Sequence, residues 1–329
     1  MNLNRLENDK ELLEVRVEQG ALIFRTTPKR PKYYIEFPIL FDCDLRCFYC
    51  FHKDYFQTFY SEKRAFSVRD YCDFRDRFFS DAEEIIVHMH GGEPFLNTNS
   101  NLIVNFIRNT RLERIDLLSN GLQDEANYRK LVPYRNRVRR IGFTFHRKMI
   151  ANIPHLVQLF EENVLRMKNL GFDVYVKELL FVDIKTEILQ DREYWVKKGI
   201  PFKIQDYKGS DFGKTGSIHE GYTPEETALV DQEYFHLGDF CSCQKGYKSV
   251  LIRGTTWRCG DVLGCWHDPK VVGNIQRREF DPSYRTFIDR QKGRMDVLGV
   301  PSVYYGTFDR DMNRGQERER WKEKVEYDS

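Results

Sequence analysis

The chain has 329 residues, 41% hydrophobic and 14% aromatic, which is enough for one large domain or two with a sizeable core. A formal net charge of +2 gives no global attraction to nucleic acid or membrane. No apolar run reaches the length of a membrane span and the N-terminus has no signal-peptide core, so a cytoplasmic location is expected, with reduced thiols and eight cysteines that point to metal rather than to disulfides.

Residues 1–32 read as an accessory hairpin: Leu12 to Val17 alternates, Gln19-Gly20 turns, Ala21 to Arg25 returns, and Pro28 and Pro31 mark a linker. With only this stretch ahead of the next strand, no leader-peptide-binding domain is expected at the N-terminus. Strands and helices then alternate. Tyr33 to Leu40 is a first strand. Ser67 starts a helix in a capping box with Asp70, and Val68, Tyr71, Cys72, Phe78 and Phe79 form its apolar stripe, so Cys72 is read as a core residue.

Ile85 to Met89 is a second strand, Asn101 to Ile107 a helix, Ile115 to Leu118 a third strand and Ile141 to Phe145 a fourth. Leu156, Phe160, Val164 and Met167 share a helical face that ends at Gly171. Phe172 to Val182 and Phe202 to Gln205 complete six strands, which implies βα units and a parallel sheet. The basic run Arg135 to Arg140 reads as a solvated loop entering a strand rather than a binding patch. Residues 206–222 read as a loop whose Gly209 to Thr215 is one residue short of a phosphate loop, and Thr223-Pro224-Glu225-Glu226 starts a helix. From Leu237 strands shorten and four cysteines cluster, so a boundary is placed near 223–237; the tail from Arg310 is almost entirely charged.

Cys43, Cys47 and Cys50 follow the first strand at C-x3-C-x2-C spacing. Three thiolates can take three corners of a cubane iron–sulfur cluster and leave the fourth iron open. Structural zinc takes four protein ligands, and no fourth Cys or His stands at natural spacing; His52 is only two residues past Cys50. Gly91-Gly92-Glu93-Pro94 follows the second strand, Ser119-Asn120-Gly121 the third, and Thr144-Phe145-His146 ends the fourth. Ligands of parallel βα sheets bind at the C-terminal ends of the strands, so these four features converge on one mouth. His88 and His90, two apart on a strand, point the same way and read as barrel-interior or substrate-facing residues rather than a metal pair, since a third metal ligand is not evident.

Together these motifs resemble the radical S-adenosylmethionine (radical SAM) superfamily: the CxxxCxΦC cysteine motif with Tyr49 as the aromatic, the GGE motif at Gly91 to Glu93, and Ser119-Asn120-Gly121 where many members have Thr-Asn-Gly. The resemblance implies an α/β fold, a partial (β/α)6 TIM-type barrel over residues 33–222. It implies a [4Fe–4S] cluster on Cys43, Cys47 and Cys50 that binds SAM, reductive cleavage of SAM to a 5′-deoxyadenosyl radical, and hydrogen-atom abstraction from a substrate. Tyr49, Gly91, Gly92, Glu93, Pro94, Ser119, Asn120 and Thr144 are the implied SAM contacts, with His146 and Gln205 added from their positions at strand ends. Lys177, Glu178 and Asp206 lie on or near barrel strands without an assignable acid or base role.

Cys241, Cys243, Cys259 and Cys265, with the unit Gly254 to Cys259, resemble the twitch or SPASM extension that carries auxiliary clusters. A small C-terminal α+β domain over 223–309 with one auxiliary [4Fe–4S] cluster is the implied arrangement, ahead of a charged tail at 310–329. The CxxCx5C run of the full SPASM pattern is missing after Cys265, so a second auxiliary cluster lacks ligands. Four-cysteine zinc satisfies the same count, and His267 is an alternative ligand. The implied partners are a peptide or protein substrate undergoing crosslinking, oxidation or epimerisation, and an electron donor such as a flavodoxin or ferredoxin. A dehydrogenase or rearrangement enzyme acting on a sugar, amino acid or cofactor precursor is the alternative among enzymes, and a zinc-bearing binding module the alternative outside them.

Overall fold

The computed structural model describes residues 10–18, 21–28, 30–40, 43–50, 67–205, 223–230, 247–252, 261–265, 268–281 and 283. β1 (Lys10–Glu18) and β2 (Ala21–Pro28) form the expected antiparallel hairpin, a two-stranded sheet. Six strands then pair in parallel in chain order: β3 (Lys32–Leu40), β4 (Glu84–Gly91), β5 (Glu113–Ser119), β6 (Val138–Thr144), β7 (Val174–Leu179) and β8 (Phe202–Gln205). The crossovers carry α1 (Val68–Phe78), α2 (Asn97–Asn109), the short α3 (Glu125–Arg129) and α4 (Arg147–Ile150), α5 (Pro154–Asn169) and α6 (Lys185–Lys197). This is an α/β fold, a parallel six-stranded sheet with helices, and is consistent with the expected partial barrel. Among the described residues, no helix is long and apolar enough to cross a membrane.

Strand periodicity sorts the residues into two faces. Tyr33, Ile35 and Phe37 of β3, Ile85, Val87 and Met89 of β4, and Ile115 and Leu117 of β5 join one core with Tyr71, Phe106, Phe160 and Trp195 from the helices. Phe160 is fully buried, and burying such a side chain contributes roughly 1.5–3 kcal/mol. The opposite face carries polar residues among its apolar ones. Register puts Glu36 beside His88 and His88 beside Asp116, and Glu36 Oε2 lies 2.9 Å from His88 Nδ1. His88 is thus a sheet-face residue, as its position implied.

Local sequence rules account for α1. Ser67 Oγ accepts from the Asp70 N–H at 3.1 Å, and Asp70 Oδ2 accepts from the Ser67 N–H at 2.9 Å, which is the capping box read from the sequence. The Ser67 hydroxyl, donating to Asp70 Oδ2 at 2.6 Å, and the Ser67 N–H together hold the Asp70 carboxyl below the usual carboxylate range. Ser67→Ala is expected to lower stability by about 1 kcal/mol, read as a shift in urea midpoint with unchanged slope. Cys72 packs against the core but remains partly exposed, its Sγ donating to the Asn109 carbonyl at 3.4 Å.

Several sequence expectations need adjustment. The fifth strand is shorter than Phe172 to Val182: it ends at Leu179, and Val182–Ile184 forms a 3-10 turn leading into α6. α6 itself has no counterpart in the sequence reading, because it buries only Ile188 and Trp195, too thin a stripe to show a 3.6-residue period. The basic run is tied down within the fold: Arg137 Nε donates to the Glu113 carbonyl at 2.9 Å and Arg139 is ion-paired with Asp116.

α7 (Pro224–Leu229) begins where Thr223 and Glu226 cap one another. β9 (Tyr247–Ile252) then returns to pair in parallel with β3, Tyr247 opposite Lys32 and Leu251 opposite Glu36. β10 (Asp261–Cys265), β11 (Asp268–Asn274) and β12 (Glu279–Phe280) add in antiparallel fashion, so one ten-stranded sheet runs β12-β11-β10-β9-β3-β4-β5-β6-β7-β8. The strands after the expected boundary thus extend the same sheet as the six parallel strands. Cys241, Cys243, Cys259, His267, Asp206, the segment 206–222 and the tail from 310 lie outside the described residues. Cys265 is the last residue of β10, opposite Asp268.

Candidate functional site

The loop after β3 carries Cys43, Cys47 and Cys50, none of them in a disulfide. The Cys50 N–H donates to the Cys47 carbonyl at 3.1 Å, a turn that brings the last two cysteines back on one another. Cys47 and Tyr49 are buried with Phe181 in a small satellite cluster to which Leu45, Met149 and Ile184 contribute. The Tyr49 ring meets Phe181 edge-on at 5.0 Å. Burial pushes the Cys43 thiol up to about 12 and the Cys47 thiol up to about 11. Such thiols keep their protons until a metal displaces them.

Two carboxylates lock this loop and the next one to a single turn. Glu93, in the loop after β4, is buried. Its Oε1 accepts from the Phe95 N–H at 2.8 Å and the Ser119 hydroxyl at 2.9 Å, and its Oε2 from the Asn120 N–H at 2.6 Å. Asp44, inside the cysteine loop, accepts from Asn120 Nδ2 and from Gln123 Nε2, both at 2.7 Å. The turn at 119–123, after β5, therefore holds the Gly-Gly-Glu loop on one side and the cysteine loop on the other. It is itself fixed from behind, since Asn163 of α5 donates through Nδ2 to the Gly121 and Gln123 carbonyls at 2.9 Å each. Tyr128 OH completes the set 3.0 Å from Ser119 Oγ.

Burial raises the Glu93 carboxyl to about 8 against three hydrogen bonds that favour the anion. Ser119 and Asn120, expected at the SAM ribose or carboxylate, direct these polar atoms to the protein's own carboxylates. The sequence offered no local signal for Asp44, Gln123, Tyr128 or Asn163, whose partners lie far along the chain.

Glycine is required at two points. Gly91 ends β4 at φ 136°, and Gly121 sits at φ 76°. A Cβ on Gly121 would run into the Phe160 ring. Gly121→Ala is expected to cost about 2 kcal/mol, from backbone strain and displacement of a buried ring. Thermal unfolding of the variant against wild type checks this.

The other expected site residues sit at the same sheet end. Gly92 and the buried Pro94 continue the loop after β4. Thr144 closes β6 opposite Lys177 of β7, whose Nζ donates to Gln205 Oε1 at 3.0 Å on β8. His146 follows β6, with its Nδ1 3.0 Å from the Tyr49 hydroxyl and 3.6 Å from Cys47 Sγ. Burial lowers its pKa to about 4, so the ring is neutral at physiological pH. Glu178 is buried near Arg147 and Asp191, and burial pushes its carboxyl well above the usual range. The His90 side chain lies outside the described residues.

Among the described residues, no three His, Cys, Asp or Glu side chains converge closely enough to hold a single metal ion. The donor set in the loop is three thiols, soft ligands of the kind that suit iron–sulfur clusters, and a cluster takes one thiolate on each of several irons rather than three on one.

No protein-family model and no curated protein sequence matches the chain. Its fold is shared with solved structures. One is native anSMEcpe with bound AdoMet, at TM-score 0.51 and 14% identity over 79% of this chain and 82% of that one. Two others hold AdoMet together with a peptide: native anSMEcpe with the Cp18Cys peptide, at TM-score 0.50 and 14% identity, and with the Kp18Cys peptide, at 0.51 and 15%, each over 79% of this chain and 82% of the other.

Proposed function

We propose that this chain is a radical SAM enzyme acting on a peptide or protein. The observation that carries the reading is the joining of three loops at the C-terminal end of one parallel sheet. The cysteine loop is tied through Asp44, and the Gly-Gly-Glu loop through Glu93, to the turn after β5. The fold likeness to AdoMet-bound structures supports SAM as the ligand of that mouth, and the two peptide-bound structures among them favour a peptide over a small molecule.

In this reading Cys43, Cys47 and Cys50 hold a [4Fe–4S] cluster that, when bound, supplies the electron for cleaving SAM to the deoxyadenosyl radical. The chain's own residues do the placing. Gly91 and Gly92 let backbone come close to the ligand, and Glu93 and Asp44 fix the two loops at a constant separation. Pro94, Thr144, Gln205 and Tyr49 are proposed as further contacts of SAM at the same sheet end. The satellite cluster around Phe181 keeps water from one side of the cysteine loop. Cys241, Cys243, Cys259 and Cys265 are proposed to bind one auxiliary [4Fe–4S] cluster in a unit spanning 223–309, which accepts an electron from the substrate radical or holds substrate. A flavodoxin- or ferredoxin-type donor is the proposed source of the initiating electron, and the cytoplasm the proposed location.

The test is anaerobic incubation of the reduced, reconstituted protein with SAM and candidate peptides, following deoxyadenosine and peptide mass together. Loss of two hydrogens marks oxidation or crosslinking, and deuterium uptake without mass loss marks epimerisation. About eight irons per chain are expected with two cubanes and about four with one, a ceiling set by the cysteine count. Bound zinc without sulfide, and no deoxyadenosine, would sink the reading.

A further inference from the structure

We infer that His146 acts as a hydrogen-bond donor to the Cys47 sulfur and, with Tyr49, sets the reduction potential of the group that Cys47 holds. The inference rests on the reading of the cysteine loop as a cluster site, and it gives His146 a role other than contact with SAM.

Geometry carries it. His146 comes from the end of β6, while Cys47 and Tyr49 come from the loop after β3, so the contact joins two elements about a hundred residues apart. One ring atom, Nδ1, faces both partners: the Tyr49 hydroxyl at 3.0 Å and the Cys47 sulfur at 3.6 Å, the latter within the range of hydrogen bonds to sulfur. The Tyr49 ring lies nearly parallel to the imidazole, with centroids 6.0 Å apart and 27° between planes, which limits rotation of either ring.

The chemistry decides the direction of the bond. A thiol can donate its own proton to Nδ1. An iron-bound thiolate has none, and a bare Nδ1 lone pair facing it would be repelled, so iron binding selects the tautomer with the proton on Nδ1. The single proton on Nδ1 then faces both the Tyr49 oxygen at 3.0 Å and Cys47 Sγ at 3.6 Å, and the Tyr49 hydroxyl, accepting through its oxygen, keeps its own proton to donate. Hydrogen bonds to a ligating sulfur stabilise the state with more negative charge on that sulfur, which is the reduced one. His146 is thus a positioning and tuning residue, acting through Cys47.

The experiment is a redox titration of the full-length, anaerobically reconstituted protein, followed by the electron-paramagnetic signal that changes on adding SAM, with iron and sulfide measured in every sample. His146→Phe is expected to load iron fully and to show an about tenfold lower ratio of reduced to oxidised cluster at a fixed potential near the midpoint, a shift of about 59 mV for one electron. His146→Gln, which keeps an N–H donor, is expected to recover most of that shift. Equal midpoints in wild type and His146→Phe at equal iron content would overturn the inference and leave the cluster site standing. Absence of iron and sulfide from the wild type would overturn the site and the inference together.

Discussion

Replacing Cys43, Cys47 or Cys50 singly by alanine is expected to abolish deoxyadenosine formation while leaving the chain folded. Each thiol is proposed to hold a different iron, so loss of one leaves a cluster with a second open corner. The fall in deoxyadenosine yield should exceed the ~100-fold that losing a group behind a metal ligand typically costs. Site iron should fall in parallel. The fold should tolerate the change, because the six parallel strands and their core do not depend on these side chains. The comparison to make is circular dichroism and thermal midpoint against iron content. A cysteine variant that keeps full iron and full deoxyadenosine yield would remove that residue from the ligand set.

Replacing Glu93 by alanine is expected to produce the largest loss of stability among single changes at the mouth. It leaves the buried Phe95 and Asn120 N–H groups without their acceptor and frees Ser119 from its partner, at a cost of about 3–5 kcal/mol. Glu93→Gln should cost less, about 1–3 kcal/mol, since one oxygen remains while the new amide turns an N–H toward a donor.

The pH dependence gives a second signature. The folded-state pKa of Glu93, about 8, stands above its ordinary value of 4.5, so between the two the native state holds a proton that the unfolded chain has released. The contribution of Glu93 is therefore fully present below about pH 4.5 and is lost as pH rises through 8, by roughly 5 kcal/mol as an upper bound. Urea unfolding at pH 5, 6.5 and 8.5 should show wild type weakening across that window and Glu93→Ala lacking this component. Parallel curves for the two proteins would contradict it.

The parts of this site that were legible in the sequence are those with short-range spacing. The cysteine triplet, the glycine pair after β4 and the Ser-Asn-Gly turn after β5 each announce themselves within nine residues or fewer, and strand–helix alternation places them at one end of the sheet. The capping box at Ser67 and the helix start at Thr223 are local in the same way. What holds the three loops together is not local. Asp44 meets Asn120 and Gln123 across 76 and 79 positions, and side-chain hydrogen bonds of that span leave no periodicity to read. His146 was placed at the mouth from its strand end, but which group its ring faces depends on where the cysteine loop comes to rest. α6 escaped notice for an opposite reason, its buried stripe being only two residues.

The pairing of β9 with β3 bears on how the chain reaches this structure. β3 is the first strand of the parallel sheet to leave the ribosome, yet the neighbour on its outer side begins only at Tyr247, about two hundred residues later. At ordinary translation rates that interval is roughly 10–40 s, during which a strand carrying Tyr33, Ile35 and Phe37 has an open hydrogen-bonding edge. A nascent chain of this topology is most exposed to misassembly in that window. Chaperone dependence during expression should ease once the message is read past residue 252, where β9 ends.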